Sequence, residues 1–201
     1  DRRLLQMLGA AYEQTGRHGE AAAIFERLIE DIEDGGGNTL PLRRQLARSL
    51  TLAGELDRAR EQYELLLEAE PREAEYYLRL SQIHREKRRF AEAWESLKQA
   101  QDLDPASLEI KYNAVMLYEA ERRFDEAARA LEAILEETRR PAYEARDSAN
   151  RSMFLEHLGA IHRQREDFDA AIAVYRQIGE LNPEAAPRVR ALTVEAHRSA
   201  R

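Results

Sequence analysis

Residues 56–71 read LDRAREQYELLLEAEP, and residues 90–105 repeat the same pattern as FAEAWESLKQAQDLDP. Residues 124–139 repeat it once more as FDEAARALEAILEETR, so that Ala59, Ala93 and Ala127 lie 34 residues apart. A fixed period of this length is typical of a solenoid, in which each repeat buries its apolar face only by stacking on a neighbour. The period therefore predicts an extended surface that is suited to holding other molecules.

Each repeat has the pattern of two antiparallel helices. In residues 40–73, Leu46 and Leu50 are spaced as the inward face of a first helix, which Gly54 ends. Asp57 is predicted to cap the second helix, because aspartate is a common start signal. The inward stripe of that second helix and its stop are then supplied by Ala59, Tyr63, Leu66 and Pro71. We therefore expect one helix, a tight turn and a second helix in every repeat.

These residues resemble the tetratricopeptide repeat (TPR) family, whose signature is W-x2-L-G-x2-Y, then A-x3-F, then a terminal Pro. The first repeat matches this signature at Leu8, Gly9, Tyr12, Ala21 and Phe25, while Leu5 stands in place of the leading Trp. The resemblance covers nearly the whole chain and implies an all-α fold, a right-handed α-solenoid of about five helix-turn-helix repeats plus a C-terminal capping helix.

We predict a single solenoid over 1–201. Its repeats are expected at 2–35, 40–73, 74–107, 108–141 and 152–185, with a terminal helix at 186–200. Two insertions interrupt the period. The glycines at 35–37 are expected to form a loop, and the segment 141–151 is expected to lengthen the first helix of the fifth repeat. Val189, Leu192 and Ala196 have helical spacing, which favours a capping helix, although a truncated array would give the same pattern.

Composition limits the possible functions. The formal net charge of −7 argues against nonspecific binding to nucleic acid. The chain has no cysteine, which excludes disulfides and thiolate metal sites and leaves the compartment open between cytoplasm and periplasm. No apolar run reaches the roughly 20 residues of a membrane-spanning helix, so we expect a soluble protein without membrane insertion. Arginine greatly outnumbers lysine, as in GC-rich bacterial genomes, and because the chain starts at Asp1 inside a predicted helix we interpret it as a fragment or processed product.

The sequence favours a protein without enzymatic activity, cofactor or metal. His84 and His162 occupy the position that Tyr12 and Tyr118 hold in sister repeats, so we interpret them as packing residues. No zinc-protease motif, phosphate-binding glycine loop or nucleophile elbow occurs. An enzymatic function would require a domain outside this sequence.

The resemblance implies that the first helices of the repeats line a concave, peptide-binding groove. Transferring the family's groove positions to this sequence selects Arg44, Arg48, Leu78, Arg79, Gln82, Arg85, Tyr112, Asn113 and Met116. Arginine side chains can hold carboxylates with two parallel hydrogen bonds, so one hypothesis is a site for an acidic or C-terminal peptide. The alternative is that these arginines pair with carboxylates of neighbouring helices. The family's carboxylate clamp is disfavoured, because Glu109 stands among the corresponding residues.

The leading hypothesis is a protein-interaction scaffold that binds a peptide or extended protein segment in this groove. The alternative is an architectural spacer or self-association segment of a larger protein, with no peptide ligand of its own. The partner is thus expected to be a protein or peptide, with an acidic one favoured, and not a nucleic acid.

Overall fold

The computed structural model describes residues 1–33, 35–140 and 142–199. These residues contain eleven α-helices and no strand, as the spacing of apolar residues predicts. None of the helices in these ranges is long and apolar enough to span a membrane. The chain forms two compact units, Asp1–Pro105 and Ala106–Arg201. The single solenoid over 1–201 stays a prediction.

The first unit contains six helices that pack in antiparallel pairs and stack in chain order. Their bounds are α1 Arg2–Gln14, α2 His18–Glu33, α3 Leu40–Leu52, α4 Leu56–Ala69, α5 Ala74–Glu86 and α6 Phe90–Leu103. In the first two pairs the second helix also packs on the first helix of the next repeat, α2 on α3 and α4 on α5.

The second unit contains two helix pairs and a terminal helix. Its helices are α7 Leu108–Ala120, α8 Phe124–Glu137, α9 Ala145–Gln164, α10 Phe168–Leu181 and α11 Ala186–Ser199, with a 3₁₀ turn at Pro183–Ala185. α9 has 20 residues where the other first helices have 13, which confirms that the insertion lengthens this helix. Pro141, the predicted end of the fourth repeat, lies outside the described residues. The fold class, an all-α solenoid of helix pairs with a C-terminal capping helix, is confirmed.

Small residues allow the two helices of a repeat to cross closely. The alanines at the crossing are fully buried: Ala21, Ala59, Ala93, Ala127 and Ala171. Gly9 and Gly159 face the opposite helix at two of these crossings, where a Cβ atom would lie 2.7 Å from Phe25 and 2.2 Å from Tyr175. These positions exclude larger side chains because the aromatic rings of the opposite helix lie directly against them.

The turn between the two helices places one residue per repeat in the left-handed region. The positive φ angles are 73° at Gly16, 79° at Gly54, 58° at Arg88, 61° at Arg122 and 60° at Glu166. The next residue donates its N–H to a carbonyl five positions earlier, for example Glu55 to Leu50 at 2.9 Å, which is the Schellman ending of a helix. Gly54 therefore ends α3 as predicted.

The predicted cap at Asp57 is wrong. α4 begins at Leu56, and its N-cap residue is Glu55, which makes no side-chain capping hydrogen bond. Asp57 lies in the first turn, where a carboxylate interacts favourably with the helix dipole, and it forms an ion pair with Lys87 at the end of α5. The hydrogen bond that the Lys87 ammonium donates to this carboxylate lowers the pKa of Asp57. The carboxylate thus ties neighbouring repeats together.

The terminal helix α11 covers one side of α10. Ala196 is fully buried in the core of the second unit, and Val189 and Leu192 pack against that core. Two ion pairs join α11 to α9, with Arg163 to Glu195 at 2.6 Å and Arg188 to Glu156 at 2.5 Å. α11 therefore closes the apolar face that α10 would otherwise expose.

We expect Gly159→Ala to lower the free energy of unfolding by about 1–3 kcal/mol, because the new methyl group overlaps the Tyr175 ring. Gly19→Ala is the matched control. Gly19 also lies in a helix, but its Cβ would meet nothing within 4 Å, so the higher helix propensity of alanine should raise stability by up to about 1 kcal/mol. Denaturant titration measures both changes. Equal effects of the two substitutions would contradict the close crossing.

Ala196→Glu should destabilise the second unit by about 3 kcal/mol or more, since a carboxylate would be buried without a partner. Val194→Glu on the same helix is the control, because Val194 is 49% exposed. Thermal melting and limited proteolysis of α11 report the outcome. Identical melting curves for the two variants would show that α11 does not seal the core.

Candidate functional site

The first unit has an open groove of about 660 Å³, here called the arginine groove. It is lined by Glu13 of α1, by Arg44, Gln45, Arg48, Thr51 and Leu52 of α3, by Tyr63 of α4, and by Glu75, Tyr76, Arg79 and Gln82 of α5. Ten of these eleven residues come from the first helices of three repeats. The second helices are engaged in stacking, which leaves one face of the first helices open.

Arg44 is held in a closed ion pair at one wall of the arginine groove. Its terminal nitrogen donates to both carboxylate oxygens of Glu70, at 2.6 and 2.7 Å, and its Nε donates to the Tyr76 hydroxyl at 2.5 Å. Tyr76 in turn donates to Glu70 at 2.6 Å. The hydrogen bonds from Tyr76 and Arg44 lower the pKa of Glu70, and Glu70 raises that of Arg44. Arg44 therefore shapes the groove and is already satisfied.

Arg79 is also engaged. It pairs with Glu75, one turn earlier on α5, at 3.3 Å and donates to the Gln82 side chain at 3.1 Å. Arg44 and Arg79 thus both pair with carboxylates of the same unit. This is the alternative to a peptide site that the sequence left open.

Arg48 differs from both. It lies one turn after Arg44, is exposed, and makes no ion pair or hydrogen bond within the described part of the chain. Burial raises the pKa of the Tyr63 hydroxyl, while a hydrogen bond with Thr51 and the positive charges of Arg79 and Arg48 oppose this shift. Arg48 is therefore an exposed guanidinium in the same groove as Tyr63, without a partner in the described chain.

The floor of the arginine groove is aromatic and its lip is apolar. The rings of Tyr63 and Tyr76 lie 6.2 Å apart at an interplanar angle of 41°. Leu52 is 53% exposed at the edge. On the α1 side, the Glu13 carboxylate accepts a hydrogen bond of 3.0 Å from Ser49. Tyr63 and Tyr76 are only 5% and 3% exposed, so within the described residues the groove offers a ligand mainly the Arg48 guanidinium and the apolar side chain of Leu52.

Four predicted groove residues of the first unit line this surface, namely Arg44, Arg48, Arg79 and Gln82. Arg85 is half-buried and does not line it. Leu78 is only 3% exposed and belongs to the interior, so it offers no surface to a peptide. The family's groove positions do not account for this local burial.

The predicted residues of the second unit, Tyr112, Asn113 and Met116, lie on α7. Asn113 is 3% exposed and therefore interior, while Met116 is half-buried. Tyr112 contacts Phe154 with ring centroids 5.3 Å apart, and its hydroxyl lies 2.9 Å from Nδ1 of His157. Tyr112 thus joins α7 to Phe154 and His157 of α9.

Tyr112 lines a cavity of about 310 Å³, here called the α9 cavity. Its walls include Leu108, Tyr143, Met153 and Phe154, and Leu108 and Met153 are 39% and 48% exposed. The lengthened start of α9 supplies Asp147, Asn150, Arg151 and Met153 to it. The cavity is therefore a consequence of the insertion and has the apolar lining typical of a side-chain pocket.

The sequence analysis missed Tyr63, Tyr76 and Leu52 in the arginine groove, and Phe154 and Tyr143 in the α9 cavity. Tyr63 belongs to a second helix, and positions transferred from first helices cannot select it. The insertion was the one available signal for the α9 cavity, since extra residues in one repeat must form a surface that the other repeats lack.

Comparison with family models finds the tetratricopeptide repeat at residues 3–30, 44–107, 84–145 and 155–185. The chain belongs to the tetratricopeptide repeat family. That family generally forms non-catalytic scaffolds, and the fold supports a role of this chain as a scaffold for protein–protein interaction.

Solved structures share the fold at low sequence identity. TTC0263, a thermophilic TPR protein of Thermus thermophilus, is 20% identical, with 98% of both chains covered and a TM-score of 0.63. BtubC (BKLC) from P. vanneervenii is 22% identical, with 90% of this chain and 80% of that chain covered and a TM-score of 0.72. MamA from Desulfovibrio magneticus RS-1 is 14% identical, with 91% and 96% covered and a TM-score of 0.69. No curated protein matches the sequence.

His162 and His84 have the environments of packing residues rather than of residues that take part in chemistry. His162 is 6% exposed, and burial lowers its pKa despite the carboxylates of Asp167 and Glu132 at 4.0 Å. Its Nδ1 lies 3.4 Å from an Arg165 nitrogen, which can only donate, so Nδ1 accepts and the ring is neutral. Burial lowers the pKa of His84 in the same way.

These shifts predict a loss of stability in mild acid. A histidine whose folded pKa lies below its unfolded value of 6.5 binds a proton more readily when unfolded, so its contribution is complete above pH 6.5 and falls as the pH drops toward the folded pKa. His162→Phe should flatten this dependence, while His197→Gln, at an exposed position, should leave it unchanged. Urea midpoints measured from pH 7.5 down to about 5 test the difference.

Proposed function

We propose that this chain is a non-enzymatic scaffold that binds an extended segment of a partner protein in the arginine groove, with a carboxylate of that segment held by Arg48. The observation that carries the proposal is the exposed guanidinium of Arg48, which has no partner among the described residues and faces a groove built from the first helices of three repeats. Arginine is well suited to a carboxylate because its donors match the two oxygens.

The neighbouring side chains support Arg48 in this role. The closed pair of Arg44 with Glu70 and the hydrogen bond of Arg79 to Gln82 fix the walls on either side. Because Arg44 and Arg79 already have hydrogen-bond partners, the proposed site holds a carboxylate at Arg48 alone and not at three arginines. Leu52, which is 53% exposed at the edge of the groove, would contact the apolar part of the segment.

The α9 cavity supports a second contact of the same kind in the second unit. Its apolar wall of Tyr112, Met153 and Phe154 is suited to an aromatic or aliphatic side chain. Met116 remains a proposed groove residue of this unit. The alternative function, an architectural or self-association segment without a peptide ligand, predicts that neither surface binds peptide.

Arg48→Glu should weaken binding of a fluorescent peptide of alternating leucine and glutamate by about tenfold or more, which corresponds to about 1.4 kcal/mol. Binding by the unaltered chain should weaken as salt rises, because exposed charge pairs are screened over roughly 10 Å at 0.1 M salt. Fluorescence anisotropy measures both effects.

The control is Arg27→Glu, which makes the same charge change at an exposed position of α2 outside the groove. It should alter affinity less than about twofold. Circular dichroism checks that both variants keep their helices. If Arg48→Glu binds the peptide as well as Arg27→Glu does, Arg48 does not hold the carboxylate and the apolar surface of the α9 cavity becomes the stronger candidate.

A further inference from the structure

The first helix carries an exposed apolar stripe. Leu4 is 64% exposed, Met7 61% and Leu8 40%, and Ala11 is also exposed. These four residues have the spacing i, i+3, i+4 and i+7, which places them on one face of α1. We call them the α1 stripe.

The positions that correspond to Leu4 and Leu8 are covered in other repeats, whereas Gln45, the counterpart of Met7 in the second repeat, is exposed. At the position of Leu4, the exposed fractions are 5% for Leu42, 3% for Tyr76 and 8% for Phe154, and at the position of Leu8 they are 2% for Leu46, 6% for Leu80 and 4% for Leu158. In each of these repeats the second helix of the preceding repeat packs on the first helix, as α2 on α3, α4 on α5 and α8 on α9. Leu4 and Leu8 thus lie on a helix-packing surface by register, and no helix of the described chain packs on them.

We propose that the α1 stripe binds the same stripe of a second copy of this chain, so that the two α1 helices pack antiparallel about a two-fold axis. The stripe contains no charged residue, and a self-complementary apolar face can form a closed, isologous contact. This inference is independent of the proposed peptide site.

The charges of α1 favour the antiparallel arrangement. Arg2 and Arg3 both lie at its N-terminal end, and its last turn has no basic residue. A parallel pair would bring the arginines of both copies together, whereas an antiparallel pair places them at opposite ends. Arg3 would then lie beside Gln14 of the second copy, whose amide oxygen can accept a hydrogen bond.

The centre of the α1 stripe falls between Met7 and Leu8, so these residues would lie nearest the two-fold axis. A single helix pair buries less than the roughly 1,600 Å² of a standard interface. We therefore expect a weak dimer that dissociates in the micromolar range and is insensitive to salt, because the contact is apolar.

Sedimentation velocity over protein concentrations from about 1 to about 500 µM tests the proposal. The average mass should rise from 23.2 kDa toward twice that value. Leu8→Glu should stay monomeric throughout, while Leu65→Glu, the same change at a residue of α4 that is also 40% exposed, should still dimerise. A monomer at every concentration, or a dimer that survives Leu8→Glu, would overturn the proposal.

The absence of cysteine allows a second test of geometry. Met7→Cys introduces a single thiol near the axis, and oxidised glutathione should link two copies at least about tenfold faster than it links Leu65→Cys, because only thiols that meet across the axis are held within disulfide reach. Equal rates would exclude the antiparallel stripe contact. Arg48→Glu should leave dimerisation unchanged, so loss of peptide binding and loss of the dimer are separate results.

Discussion

The fold depends on the close crossing of two helices at a residue with almost no side chain. At Gly159 there is no room for even one methyl group beside Tyr175, and the alanines that recur in the second helices are fully buried. This proximity brings the large residues on either side of the crossing, such as Phe25 and Leu28, into one continuous core. Because the two helices of a pair lie so close together, apolar side chains also lie on the outer sides of the pair. These side chains are buried only where a helix of another repeat packs on them.

The same constraint determines where the chain can present polar chemistry. The second helices α2, α4, α8 and α10 each contact their own partner and the first helix that follows, so little of their surface is left for a ligand. The first helices of the first unit keep one face open, and the arginine groove forms there. Within this face the position of each arginine relative to the helix ends decides its role. Arg44 reaches Glu70 at the end of α4, whereas Arg48, one turn further along, meets no carboxylate in the described chain.

The period of 34 residues was sufficient to predict the helix pairs, their turns and the small residues at the crossings, because these features depend on contacts that every repeat makes. The lengthened α9 also followed from residue spacing. Side-chain details that depend on one particular pair of neighbours were not predictable. The Arg44 pair needs Glu70 and Tyr76 together, and the burial of Leu78 and Asn113 cannot be derived from positions that describe an average repeat. The α9 cavity has no counterpart elsewhere in the period.

α1 and α11 differ in the side chains that they leave exposed. α11 keeps Val189, Leu192 and Ala196 on the side that packs on the core of its unit, while Arg190, His197 and Arg198 are exposed. The exposed residues of α11 are thus mostly charged or polar, although Val194 is 49% exposed. On α1, leucines are exposed at the positions that a preceding helix covers in other repeats. Apolar side chains of this size gain free energy when they leave water, at roughly 25 cal/mol per Å². The leucines of α1 are therefore exposed because no helix of the described chain packs on them, and their burial would stabilise an association at this surface.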